Sequence, residues 1–193
     1  MFNGCTQLNP NTLTISIPNN NKYNATWMFT SCSNTNFTQL PSTLDYSRAT
    51  SVQAMFAYCS YLTSTGNLTL TECGNASSMF QSCTRLTNVG NISAPIATIC
   101  SSFFSSCTTL VTVAGTLSFP NSTDFSSMFS NCYLLNHIPV IDTTGATAFA
   151  SMFSGARAIK VYNNNYDLSS AITLQSMFSG CNELTSVTIS DTF

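Results

Sequence analysis

A single motif recurs eight times along the chain: MFNGCTQL at residue 1, MFTSCSNT at 28, MFAYCSYL at 55, MFQSCTRL at 79, FFSSCTTL at 103, MFSNCYLL at 128, MFSGARAI at 152 and MFSGCNEL at 177. The intervals are 27, 27, 24, 24, 25, 24 and 25 residues. Spacing this regular leaves few ways to fold. A unit of that length cannot bury its own apolar face, so the units must stack on one another and build one continuous core between them.

The apolar positions predict the form of each unit. Three residues before each Met, or its equivalent, stands Ala25, Val52, Ala76, Cys100, Phe125, Phe149 or Leu174. Phe follows the Met, Cys stands four places after it and Leu usually seven. Counted from the first apolar residue the set falls at i, i+3, i+4, i+7 and i+10, the stripe of a helix of about three turns. Its core ladder is Met28, Phe29 and Cys32; Met55, Phe56 and Cys59; Met79, Phe80 and Cys83; Phe104 and Cys107; Met128, Phe129 and Cys132; Met152 and Phe153; and Met177, Phe178 and Cys181. Ser, Thr, Asn, Gln and Gly occupy the opposite face.

After the Leu the period changes. Segments 86–89, 110–113, 135–138 and 184–189 read as short strands, with Val113, Val187 and Ile189 supplying β-branched residues. Gly66, Gly90, Gly115, Pro139 and Gly145 are expected to end the strands and begin the return. The expected fold is therefore an α/β solenoid of about eight units of 24–27 residues, each a short strand plus a helix, with a parallel sheet on one face. Residues 1–193 form one solenoid domain in this reading, expected to be a fragment or to lack polar caps of its own. Polar inserts at 19–22, 41–43 and 163–165 are expected to bulge as loops.

Composition narrows the function. Only 6% of residues are charged, with five basic and seven acidic side chains and a net charge of −2. Nucleic-acid grooves and anionic-membrane patches need concentrated Lys and Arg, so neither partner is expected. No apolar run approaches the length of a membrane span, so no membrane insertion is expected. Asn, Ser and Thr number 20, 29 and 28, which gives a polar surface that does not depend on charge.

The pattern M-F-x-x-C-x-x-L, followed by a short strand and a Ser/Thr/Asn-rich return, resembles the BspA-like class of leucine-rich repeats, which includes the mycoplasmal surface-protein repeat. Its period lies within the roughly 20–29 residues of leucine-rich repeats. The resemblance covers essentially the whole chain. It implies a non-enzymatic adhesion or recognition role at a cell, extracellular or virion surface. The alternative is a structural decoration or fibre component, as in a phage particle, with no ligand of its own. Departures are Thr35 for Leu in the second unit, Phe103 for Met in the fifth and Ala156 for Cys in the seventh.

Nine cysteines invite a disulfide or metal reading. Seven share one place on the inward stripe, where a free thiol serves as a small hydrophobe. Helices packed about 8–10 Å apart would hold successive cysteines beyond the ~7 Å that a disulfide spans. No C-x-x-C pair occurs, so no metal or other cofactor is expected. His137, the only histidine, lies five residues after an inward-pointing Cys132, and the acidic residues are scattered; no catalytic site is expected. Asp124 reads as a helix N-cap.

Partner contact is expected on the outward strand row, at Asn88, Thr112, His137, Val161 and Ser186. Lys160 and Tyr162 flank it if the seventh strand is shifted in register. This row varies in size and polarity while the core positions repeat. It offers hydrogen bonding and stacking with almost no charge, which suits a neutral glycan, a protein surface, or a neighbouring subunit of an assembly.

Overall fold

The computed structural model describes residues 1–17, 21–163 and 166–189. Part of the predicted insert at 19–22 (Asn19 and Asn20), Asn164 and Asn165 in the insert at 163–165, and Asp191 lie outside the described residues. Among the described residues seven short strands are present: β1 (Tyr23–Asn24), β2 (Ala49–Ser51), β3 (Leu68–Thr69), β4 (Ile92–Ser93), β5 (Leu117–Ser118), β6 (Val161–Asn163) and β7 (Ser186–Thr188). All pair in parallel with the equivalent strand of a neighbouring unit, as β1-β2, β3-β4-β5 and β6-β7.

The predicted helices are replaced by stacked turns. Among the described residues the only helix is one 3-10 turn at Tyr46–Arg48. In the third unit, Met55 N–H donates to Val52 O at 3.0 Å, Ala57 to Ala54 at 3.2 Å and Cys59 to Phe56 at 3.2 Å. These i to i−3 bonds close overlapping four-residue turns. The alternate amides run along the stack instead: Val52, Ala54, Phe56 and Tyr58 donate to Asn75, Ser77, Met79 and Gln81 of the next coil at 2.7–3.0 Å. Every amide from Val52 to Cys59 except that of Gln53 donates to one of these two sets of carbonyls, and Gln53 N–H donates to the Ser51 hydroxyl at 3.3 Å. Consecutive turns place side chains inward at intervals of three and four, as a helix does, so the apolar stripe survives the change of backbone. Ser, Thr and Asn propagate a helix poorly, and each further coil offers the turn column a full set of cross-coil partners.

A turn with its third residue in the left-handed region needs a positive φ. Ala54 (φ 50°) and Tyr58 (φ 62°) hold those places in the third unit; Ser127 (56°) and Asn131 (58°) hold them in the sixth. The residue ahead of the column caps it. Asn75 Oδ1 accepts from Ser77 N–H at 2.9 Å, and Asp124 Oδ1 from Ser126 N–H at 2.9 Å. Asp124 thus caps a turn and not the helix expected of it.

The strands fall on three columns of the coil and do not form one sheet face. Ahead of the turns, β1 and β2 continue as single parallel bridges, Ser51↔Asn75↔Ile99↔Asp124↔Ala148↔Thr173. Nine residues after the Met, the predicted strand place is paired by Ser64↔Asn88 and by β6-β7. Segment 110–113 has no strand. The third column, β3-β4-β5, lies two residues beyond Gly66, Gly90 and Gly115, where the sequence predicts the return. These glycines do more than end a strand. A Cβ on Gly115 would collide with the Gly90 backbone, and one on Gly90 with Gly66, so here neighbouring coils pack main chain to main chain.

One core runs through the stack from Ala25 to Met177. At its centre Phe2, Phe29, Phe56, Phe80, Phe104, Phe129, Phe153 and Phe178 form an unbroken stack. Successive centroids are 5.3–5.9 Å apart and the rings lie within 17° of parallel. Offset stacking at this spacing adds to the burial of each ring.

Candidate partner-binding face

The cysteine column contributes a donor as well as volume. The thiols of Cys59, Cys83, Cys107 and Cys132 each donate to the carbonyl of the Phe one coil earlier, at 3.2 Å. Cys32 and Cys181 do the same at 3.1 Å. Each of these Phe carbonyls also accepts the amide at the Cys place of its own unit (Ala156 in the case of Phe153), so the thiol fills the second lone pair of a buried acceptor. Ala156 cannot do this for Phe129. All nine cysteines are free thiols. Burial raises the Cys100 and Cys132 thiols to about 12 and the Cys32 thiol to about 11, and raises Cys83 and Cys107 further. A protonated, buried thiol is a poor nucleophile and a poor metal ligand. Cys73, off the repeat register, is also buried and donates to Asn75 O at 3.2 Å.

Among the described residues no three His, Cys, Asp or Glu side chains lie together as a metal site. None of their helices is long and apolar enough to cross a membrane. His137 is exposed while Cys132 is fully buried, which separates the two members of any Cys–His pair.

The predicted outward row lies at the surface. Asn88, Thr112, His137, Val161 and Ser186 are all exposed, as is Lys160. Tyr162 is not available to a partner. It is 0% exposed, with its ring edge-on to Phe178 at 5.1 Å and to Tyr166 at 6.4 Å. In β6 the exposure pattern is out, in, out, so Val161 and Asn163 face solvent and Tyr162 fills the core. The shifted register that would have turned Tyr162 outward does not occur.

Three of the predicted residues come together. His137, Lys160 and Val161 line a groove of about 470 Å³ between the sixth and seventh coils, with Asn136, Ile138, Ala158 and Asn163. His137 Nδ1 lies 2.6 Å from Asn136 Oδ1, which orients the ring. Lys160 Nζ is 3.9 Å from Glu183 Oε2 of the eighth coil, and both side chains are largely exposed. Asn88, Thr112 and Ser186 lie outside this groove. Asn136, Ile138, Ala158 and Asn163 are not among the predicted residues, although each flanks one in sequence or alternates with one. A second groove lies over β3-β4-β5, lined by Asn67, Thr69, Asn91, Ser93, Thr116 and Ser118 around Leu68 and Ile92. There Asn67 Oδ1 accepts from Asn91 N–H at 2.9 Å and Asn91 Oδ1 from Thr116 N–H at 2.8 Å.

The family model for the BspA type leucine rich repeat region (6 copies) matches residues 1–111. The chain belongs to this family. A second model, described as Mycoplasma protein of unknown function, DUF285, matches residues 98–191. Comparison with curated proteins and with solved structures returned no match. BspA-type repeats are in general surface-associated binding or adhesion modules, and leucine-rich repeats are typically non-enzymatic. The turn-column backbone described above is the form the repeat takes in this member.

Proposed function

We propose that this BspA-type chain is a recognition or adhesion module at a cell or particle surface, binding a protein or glycan through the outward row nine residues after each Met. One observation carries the reading. Core positions repeat from coil to coil, down to an eight-ring aromatic stack, whereas the row beside them changes from Asn88 to Thr112, His137, Val161 and Ser186 and opens into a groove. A face that served only as a spacer would have no physical need for that variety. Extended surfaces of this kind are how stacked repeats bind partners.

Attachment of the labelled chain to cells or a glycan array tests it. The double variant His137→Ala, Val161→Asp should weaken attachment and leave the melting temperature unchanged, because both side chains are exposed. Unchanged attachment would remove the row from the binding face.

A further inference from the structure

We propose that the groove between the sixth and seventh coils takes a carboxylate-bearing saccharide, a hexuronic or sialic acid residue. The proposal rests on the recognition reading above and names the ligand class of that face. The groove of about 470 Å³ falls within the ~300–1,000 Å³ of small-molecule sites, so it suits a sugar residue and not a folded partner. Its lining has three kinds of surface. Ile138, Ala158 and Val161 are apolar, as the C–H face of a pyranose ring requires. Asn136 and Asn163 bring side-chain amides, which can both donate to and accept from hydroxyls. Lys160 and His137 bring two of the chain's six basic side chains into one place.

Lys160 decides for an acid sugar over a neutral one. Its contact with Glu183, at 3.9 Å between exposed groups, is longer than a hydrogen bond, so the ammonium retains donors for a carboxylate. His137 Nδ1 lies against Asn136 Oδ1, which holds the ring in the groove lining. The groove over β3-β4-β5 has similar amides, adds hydroxyls, and has no charged residue in its lining. Charge complementarity therefore distinguishes the two grooves. The low charge of the row, read from the sequence alone, pointed to a neutral glycan. The ammonium of Lys160 in the groove lining changes that expectation.

Titration calorimetry on the whole chain, with methyl β-glucuronide, a methyl sialoside and methyl β-glucoside, tests the assignment. At least one acid glycoside should bind about tenfold more tightly than the glucoside, the worth of one charge-assisted hydrogen bond. Whichever acid binds names the source. Lys160→Gln should erase the difference, Lys22→Gln on a remote coil should preserve it, and added salt should shrink it. Equal affinity for the acid and neutral sugars, or no binding of any of the three, overturns the proposal. Cell attachment that persists in either case leaves the recognition reading standing, while attachment lost only in the His137/Val161 variant supports that reading independently.

Discussion

Serine at a positive φ is the unusual choice of this backbone. Among the described residues twelve other than glycine hold positive φ, and eight of them are serines at two fixed places in the turn column. The left-handed region costs an L-residue roughly 1–2 kcal/mol. Flanking bonds hold the conformation: Ser127 N–H donates to Ala150 O at 2.8 Å and Met128 N–H to Phe125 O at 3.2 Å. A side chain branched at Cβ tolerates this region worst. Ser127→Val should lower the unfolding free energy by about 1–3 kcal/mol in urea denaturation, whereas Ser127→Gly should stay within about 1 kcal/mol of the parent. A valine accepted without loss would mean that residue 127 is not left-handed.

At the scale of one coil, the Phe column is the part of the core whose loss is most telling. Phe129 stacks between Phe104 at 5.7 Å and Phe153 at 5.6 Å and is fully buried. Phe129→Ala should cost about 3–5 kcal/mol, and Phe2→Ala, with one stacking neighbour in the column, distinctly less. Phe2 is also only partly buried, so equal losses at both places would contradict the place of Phe129 in the middle of the core stack. The inward places of Met, Phe and Cys are legible in the sequence because any backbone that turns every three to four residues sends them to the core. The backbone itself is not legible from that spacing, since helix and stacked turns share it. What separates them is where the amides go, and Phe56 N–H reaching Met79 O is a bond between residues 23 apart that no local pattern announces. The strands at Leu68–Thr69 and Ile92–Ser93 were missed for a related reason. They are two residues long and are defined by register with the next coil, while the β-branched run at 110–113 looks more strand-like and pairs with nothing as a strand. Of the candidate face, His137, Lys160 and Val161 are legible, and Tyr162 is misread because its side of the strand depends on a one-residue register.

Across the whole molecule, the column of buried thiols couples stability to pH. Folding raises the Cys100 and Cys132 thiols from 9.0 to about 12 by desolvation, and Cys83 and Cys107 rise as well. The folded state then holds these protons where the unfolded state releases them. Their contribution is fully present below the unfolded value near 9 and is lost as pH rises towards the folded values. Between those limits stability should fall by about 1.4 kcal/mol per pH unit for each such thiol, a cumulative loss seen as a steep drop in the urea midpoint above pH ~9. A midpoint unchanged through that range would contradict the buried, protonated column. The central claim is that eight recurrences of one motif stack as turns joined coil to coil, with no α-helix among the described residues. Far-ultraviolet circular dichroism of the folded chain measures this directly. The account predicts a spectrum of β and turn structure without the helical double minimum; a helical signal of the size that eight three-turn helices would give contradicts it.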